Sequence, residues 1–582
     1  MSRPGHGSGA PDGADSMRSF PRWAFVLAAC LVQGLVLAVT SHVFIADAPD
    51  YAASISEHFN TFSCDFFEFG HLLWRPMGFG LSALSHHTSA VPPTFDAALG
   101  SLTLLSVIFG FITVAAVSAW LYSAIGLIPG AVIGILFLLV SKSFINFSQV
   151  GTSYIPALAF LAVGLFLLLE AFEGSRKSTL LAVLGGASLS LAAFLWGPFL
   201  LALPGSLLSV VFLRGLSRRG VGQSLWATLA AGLTGAGVLG WAAFELRFRS
   251  LSDVLAWAGA SSHGIDMVGG IPRAVIGLPR SIVHLGDLGA AVKRFLLQDP
   301  YAPVSFWEVL TPEFGPMILF YSIALLCVWL LLRAPEGRRA LGLLLFTAAP
   351  LALFAISWQG GDLERYMPLM PVFSLTLGLA YSEAKGHSLS RGSMGVFLAL
   401  VLLVNGALML EPRVDRAQAR PLARLSGAVS SQAARLLVVP THQDAVWQLQ
   451  RNYPETLAPF PGTGVAYLLL PGTPDVERWE ETFANRSLSA WEKGVEVWFS
   501  GRLFASDPDP DWGWTEGEDP RISWEGLNDF VTQFEFWAEE DPDPESFVLL
   551  LESVSNKALL EGMASPKGIT LQERVAKCSF PP

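Results

Sequence analysis

AALGSLTLLSVIFGFITVAAVSAWLY, residues 97–122, contains no charged side chain and is long enough to cross the hydrocarbon core of a bilayer as one helix. Soluble proteins rarely carry such a run, because roughly a quarter of their residues are charged. This chain of 582 residues is 52% hydrophobic and only 15% charged, with a mean hydropathy of +0.48. The stretch therefore predicts a membrane protein, and the composition indicates that further spans accompany it.

A hydropathy window of roughly 19 residues predicts eleven spans and thus an α-helical polytopic membrane protein. The spans are 24–45, 97–122, 127–144, 154–172, 179–197, 199–214, 225–245, 315–333, 340–358, 367–383 and 394–411. The fifth and sixth are interrupted by Gly197–Pro198 and Pro204–Gly205. That pattern fits either a hairpin or one bent helix followed by a re-entrant piece.

The basic residues predict the orientation of these spans. Four short linkers are rich in Arg and Lys, namely 174–178, 213–220, 333–340 and 383–392. With the predicted spans, these linkers and the N-terminus all fall on one side of the membrane. Basic loops face the cytoplasm. An odd number of spans then exports the tail and the loops 46–96, 145–153, 246–314 and 359–366. Residues 23–45 are too long an apolar run for a signal peptide, so we predict an uncleaved anchor.

The sequence predicts three regions: a disordered cytoplasmic leader (1–22), a transmembrane domain with a long first exported loop at 46–96 (23–411), and an exported acidic α/β domain (412–582). The tail region 412–582 holds 15 basic and 26 acidic residues, which accounts for the whole chain's net charge of −11. This balance argues against nucleic acid as a partner. The tail's predicted strands are 434–440, 465–470, 495–499 and 546–552, with helical patterns at 442–453 and 522–540.

The stretch FIADAPDYAASI, residues 44–55, places two carboxylates and a phenol where the first span leaves the bilayer. A helix that begins near Pro49 would put Asp47, Asp50 and Tyr51 on one edge. A carboxylate beside a low-dielectric medium has a raised proton affinity, which suits a general base. The alternative is an interfacial loop whose charges are solvated.

This arrangement resembles the GT-C superfamily, the polytopic glycosyltransferases that use polyprenyl-phosphate sugars, such as protein O-mannosyltransferases and aminoarabinose transferases. Many members begin the first exported loop with Asp-Glu-x-x-Tyr, and Asp47 and Tyr51 match that motif while Ala48 replaces the Glu. The resemblance implies that Asp47 is catalytic, with Asp50 as its assistant or as a metal ligand, and that Tyr51 contacts substrate.

The end of the same loop resembles the Glu-Lys-Pro-Pro-like segment of the aminoarabinose transferases. Trp74-Arg75-Pro76-Met77 stands there, with Arg for Lys, and the acidic partner is displaced to Glu68. The resemblance implies that Arg75 meets the lipid phosphate, with His71 nearby as a substrate-binding residue. A guanidinium suits a phosphate oxyanion. The alternative for Arg75 is an interfacial arginine that reaches toward lipid headgroups.

Two further exported turns resemble the superfamily. One contains Tyr154, and the other contains Glu364, Arg365 and Tyr366 ahead of a Pro-x-x-Pro segment. The resemblance implies that these side chains bind sugar or phosphate. Helix capping in the first turn and a salt-bridged interface in the second are the alternatives.

Together these features imply an inverting membrane glycosyltransferase that moves a hexosyl or pentosyl group from a polyprenyl-phosphate donor to an acceptor on the exported face of a bacterial inner membrane. A glycan, a lipid or a protein would fit as the acceptor. No cofactor is assigned; a divalent cation is compatible with Asp47, Asp50 or His71, but no ligand spacing demands one. The alternatives are a transporter or flippase, which would need ionisable residues in mid-span, and a non-catalytic envelope assembly protein.

Overall fold

The computed structural model describes most of the membrane region and the core of the tail. The described residues are 21–42, 47–57, 66–86, 95–174, 177–260, 270–285, 305, 307, 314–358, 360–410, 435–439, 465–469, 479–505, 524–537 and 547–564. The leader up to residue 20 and the helix predicted over 442–453 lie outside these ranges.

Twenty α-helices lie within the described residues. In chain order they are α1 (Arg22–Val39), α2 (Ala48–Glu57), α3 (Trp74–His86), α4 (Phe95–Ile125), α5 (Ile128–Val140), α6 (Lys142–Phe147), α7 (Tyr154–Glu173), α8 (Ser178–Leu195), α9 (Phe199–Leu207), α10 (Ser209–Arg214), α11 (Arg218–Glu245), α12 (Leu251–Ala260), α13 (Ile271–Ile282), α14 (Phe314–Leu332), α15 (Pro335–Ser357), α16 (Met370–Glu383), α17 (Ser388–Leu410), α18 (Trp479–Glu492), α19 (Trp524–Val531) and α20 (Val554–Met563). Two short 3-10 turns, Phe69–His71 and Glu364–Leu369, are called here the 69–71 turn and the 364–369 turn.

Eight helices among the described residues are long and apolar enough to cross a membrane: α1, α4, α7, α8, α11, α14, α15 and α17. The shorter apolar segments α5, α9 with α10, and α16 coincide with the remaining three predicted spans. The protein is therefore an integral, multi-pass membrane protein. At the uncertain fifth and sixth spans the structure has separate helices, because α8 ends before Trp196 and α9 begins after Pro198.

Polar contacts gather several helix ends on one side of the membrane region. Arg22, at the start of α1, contacts both Glu170 near the end of α7 and Ser123 near the end of α4. Arg214, at the end of α10, donates to Glu173 over 2.6 Å and to the Ser123 carbonyl over 3.0 Å. These contacts place the N-terminal flank beside the predicted basic linkers.

The far ends of α1 and α17 meet on the other side. The Ser41 N–H donates to the Met409 carbonyl over 2.8 Å, just after α1 and just before the end of α17. Because α1 begins among the contacts of Arg22 and ends beside Met409, the end of α17 lies at the opposite end of α1 from Arg22.

The short helix α5 packs closely enough against α16 to require a glycine. A Cβ atom built on Gly134 would lie 2.6 Å from the Ser374 carbonyl oxygen, nearer than any real Cβ contact. The contact holds α5, which is too short to span a bilayer alone, against α16.

The tail contains a five-stranded mixed sheet. Its strands are β1 (Arg435–Val439), β2 (Val465–Leu469), β3 (Glu496–Ser500), β4 (Phe536–Trp537) and β5 (Phe547–Leu550), in the order β2-β1-β3-β5-β4. The first three strands are parallel, and β5 runs antiparallel to both β3 and β4. The four predicted strands and the α/β class are confirmed.

The helix predicted over 522–540 is wrong in its second half. Helix α19 ends at Val531, and the chain then turns into β4. Asn556 explains the change, because its amide accepts from the Glu535 N–H and donates to the Glu535 and Leu551 carbonyls. An aromatic core that includes Phe483 and Phe499 anchors the domain.

Internal contacts divide the chain into two units. The first comprises residues 1–43, 67–77 and 101–411, and the second comprises 44–66, 78–100 and 412–582.

Candidate functional site

The end of the first exported loop docks onto the first unit through backbone contacts. The Gly197 N–H donates to the Gly70 carbonyl over 2.9 Å, and the Leu73 N–H donates to the Phe194 carbonyl over 3.2 Å. The fully buried indole of Trp74 donates to the Gly151 carbonyl over 3.1 Å. These bonds hold the 69–71 turn and the start of α3 against the end of α8 and the turn before α7.

Glu68 and Arg75 flank this docked segment and form an ion pair. The Arg75 Nη2 atom lies 3.1 Å from Glu68 Oε2, and both side chains are largely buried. Sequence analysis named both residues, and the structure brings them together. Since the pair is shielded from water, its attraction is stronger than that of an exposed pair.

His71 lies next to the turn before α7. Its Nδ1 atom is 2.7 Å from the Ser153 Oγ atom, and its ring centroid is 6.2 Å from that of Tyr154. Tyr154 in turn packs against Trp196, with ring centroids 4.8 Å apart. The imidazole is therefore placed where it can exchange a proton with a hydroxyl group inside the protein.

The 364–369 turn presents Arg365 to the same cluster. Its guanidinium carbon lies 4.5 Å from the ring centroid of Trp358 and 5.9 Å from that of Trp196. Its Nη2 atom is 3.4 Å from an Asp362 carboxylate oxygen and 3.9 Å from one of Glu364. Burial by itself lowers the pKa of Arg365, but the Glu364 and Asp362 carboxylates raise it, and the net pKa lies above its usual value.

Tyr366 fixes the backbone beneath Arg365. Its hydroxyl lies 2.9 Å from the Ala274 carbonyl oxygen and 2.7 Å from that of Gly360. Burial raises the pKa of this phenol, so it stays protonated. The hydroxyl is engaged by the backbone, and Tyr366 therefore has a positioning role in this structure.

The three segments converge through a continuous series of contacts. His71 lies beside Tyr154, Tyr154 packs on Trp196, and Trp196 lies under Arg365. Sequence reasoning missed Ser153, Trp196 and Trp358. The two tryptophans could have been noticed, because each closes an apolar run at its predicted exported end.

Gln149, in the turn before α7, supports the alternative of helix capping there. Its amide donates to the Ile145 carbonyl over 3.2 Å and to Thr40 Oγ1 over 3.1 Å. These contacts tie the turn to the end of α1.

Asp47 and Tyr51 belong to the second unit, where α2 begins one residue after Asp47. The predicted helix near Pro49 is confirmed, and the Tyr51 hydroxyl donates to Asp47 Oδ2 over 3.4 Å. Tyr51 is buried, whereas Asp47 is half-buried. Asp50 lies on the same helix, but its side chain is outside the described part.

Among the described residues, no three His, Cys, Asp or Glu side chains are grouped closely enough to hold a metal ion. The Asp50 side chain lies outside the described part of the chain.

The fold and the cluster define a polytopic membrane protein with a buried, mixed-charge site at one end of its helices. No family model and no curated protein matches this chain. Among solved structures it is similar to ArnT from Cupriavidus metallidurans, crystallised with undecaprenyl phosphate bound. The identity is 12%, the TM-score is 0.49, and the match covers 93% of this chain and 98% of that one. So remote a likeness assigns no activity.

Proposed function

We propose that the protein is a membrane glycosyltransferase that moves a sugar from a polyprenyl-phosphate donor to an acceptor on the exported face of the membrane. The observation that carries the proposal is the convergence of His71, Tyr154 and Arg365. These residues come from three separate turns, each of which was singled out from sequence for this chemistry. Unrelated residues at the membrane interface would not be expected to lie together in this way.

The proposed reaction is a displacement at the anomeric carbon. Asp47 takes the proton of the acceptor hydroxyl, and the hydroxyl oxygen forms a bond to that carbon. The bond between carbon and phosphate oxygen breaks on the opposite face, so that the configuration inverts and the polyprenyl phosphate leaves with the electron pair. Tyr51, which donates to Asp47, would orient the carboxylate.

Arg75 and Arg365 would stabilise the departing phosphate. Both are paired with carboxylates in the structure, Arg75 with Glu68 and Arg365 with Asp362. A guanidinium carries five N–H groups in a planar fork, so carboxylate pairing and phosphate binding are compatible. The carboxylates would hold each fork in place before the donor arrives.

A transporter or flippase is the weaker candidate. Such proteins place ionisable groups near the middle of their spans. In the eight long helices, the charged residues of this chain lie within the first or last turns, such as Glu170 and Arg218.

The test is transfer of a radiolabelled sugar from an undecaprenyl-phosphate donor by the full chain in lipid nanodiscs. We expect Asp47→Asn to lower the rate about a hundredfold or more, the usual contribution of a general base. Asp529→Asn changes an exposed carboxylate of the tail and is the matched control.

Unchanged transfer by Asp47→Asn would remove Asp47 as the base. No transfer by the wild-type chain, combined with binding of the lipid, would instead favour a carrier or assembly protein.

A further inference from the structure

A buried lysine and a histidine form a hydrogen bond between helices that support the candidate site. Neither residue belongs to a predicted motif. Lys142 begins α6, and its side chain is only 5% exposed. Its Nζ atom lies 3.1 Å from the Nδ1 atom of His284, which follows α13. With Lys142 as an ammonium, which can only donate, Nδ1 accepts and His284 is neutral.

The backbone of His284 is fixed by a buried amide. The His284 N–H donates to Asn405 Oδ1 over 2.9 Å, and Asn405 Nδ2 donates to the Val140 and Ile282 carbonyls, each over 2.7 Å. One side chain of α17 thus joins the ends of α5 and α13. The imidazole of His284 adds α6 to this junction.

Helix α13 in turn supports the 364–369 turn. The Ala274 carbonyl oxygen lies 2.9 Å from the Tyr366 hydroxyl. A Cβ atom built on Gly277 would lie 1.9 Å from the Gly360 carbonyl oxygen, so the two backbones touch. Any shift of α13 must therefore move the backbone that carries Arg365.

From these contacts we propose that Lys142 and His284 are positioning residues for the candidate site. Their hydrogen bond secures the end of α13, and α13 secures Arg365. Protonation of His284 removes the acceptor and places a second cation beside Lys142. The pair therefore makes the geometry of the site depend on pH, with the neutral imidazole as the working state.

Most other titratable groups on the surrounding described elements are arginines and phenols. Helix α5 has none, and the only one on α17, Arg391, lies at its opposite end. The remaining groups on α7, α13, α14, α15 and the 364–369 turn are Tyr154, Glu170, Glu173, Arg273, Arg280, Tyr321, Cys327, Glu336, Arg338, Arg339, Glu364, Arg365 and Tyr366. Arginines and phenols keep their charge state between about pH 5 and about pH 8, where histidine titrates. The His284→Asn variant below separates His284 from the carboxylates and from His71, which lies in the candidate site itself.

The first measurement is amide hydrogen exchange of peptides from 270–285, in the full chain in nanodiscs at about pH 8 and about pH 5, the range over which histidine titrates. Uptake is corrected for the intrinsic pH dependence of exchange. We expect wild-type protection of α13 to fall about tenfold at the lower pH, the size expected when a hydrogen bond to a charged group is lost.

His284→Asn is the decisive variant, because its amide oxygen can replace Nδ1 as an acceptor without titrating. We expect it to keep α13 protected at both pH values. Lys142→Met should give low protection at both, and His387→Asn, an exposed histidine in the turn before α17, should behave like wild type. Equal loss of protection at low pH in wild type and His284→Asn would overturn the proposal.

The second measurement, sugar transfer against pH, rests on the proposed function, whereas the exchange experiment does not. We expect the decline of the wild-type rate at low pH to be reduced in His284→Asn. A decline that persists unchanged would belong to other groups, such as the base Asp47 or His71, and would contradict the role of His284 in the reaction. If transfer is absent altogether while α13 behaves as expected, the proposed function fails and the positioning pair stands.

Discussion

Two features of its surroundings shift the pKa of Arg365 in opposite directions. Burial among aromatic rings disfavours its charge, whereas Asp362 and Glu364 favour it, and the carboxylates prevail. The planar guanidinium can stack on Trp358 and keep its edge directed at a carboxylate at the same time. The ammonium group of a lysine has neither a planar face for stacking nor two parallel N–H groups for pairing with a carboxylate.

We therefore expect Arg365→Lys to lower sugar transfer at least about tenfold although the charge is kept, because the donors aimed at the phosphate are displaced. Arg333→Lys is the matched control, since Arg333 also stacks on a tryptophan, Trp329, but is exposed and lies between α14 and α15. The measurement is the ratio of kcat/KM values. Equal rates for wild type and Arg365→Lys would show that only the charge matters at this position.

Sequence reasoning at this scale found the charged members of the cluster and Tyr154, and missed its tryptophans. Glu68, His71, Arg75 and Arg365 are polar residues at the ends of apolar runs, so their positions stand out. Trp196 is one of 18 tryptophans, and its place at the end of an apolar run does not reveal that the fold puts it under Arg365. Ser153 acquires its meaning only from the contact with His71.

The elements were easier to predict in the membrane than in the tail. A span is decided locally, because lipid leaves the backbone no partner outside its own helix. Each of the eleven predicted spans therefore contains helical residues, and eight of the described helices are long enough to cross a membrane. In the tail, the fate of 522–540 depends on Asn556, a residue distant in sequence. Its three hydrogen bonds favour β4 over the local helical pattern.

We expect Asn556→Ala to destabilise the tail by about 3 kcal/mol, because it leaves buried backbone groups at Glu535 and Leu551 without their bonds. Hydrogen exchange of peptides from 535–551 in the full chain measures the effect. Asn485→Ala, on the exposed side of α18, should leave exchange unchanged. If both variants matched wild type, Asn556 would not be what turns the chain into β4.

At the scale of the whole molecule, the positions of the basic linkers along the sequence and the contacts between helix ends indicate the same grouping of helix ends. The contacts of Arg22 and Arg214 gather one set of ends. The bond from Ser41 to Met409 places the end of α17 at the other set. Which set faces the cytoplasm follows from the basic linkers alone.

That assignment predicts an exported tail, and the prediction can be tested in intact cells. In a chain whose four native cysteines are replaced, we expect Asn485→Cys on α18 to react with a membrane-impermeant maleimide. His387→Cys, in the exposed turn before α17, should react only after permeabilisation. Both positions are exposed, so they differ in side and not in accessibility. The opposite pattern would place the tail in the cytoplasm. The turns that carry the cluster around Arg365, which are predicted to be exported, would then face the cytoplasm, which is the wrong side for the proposed transfer.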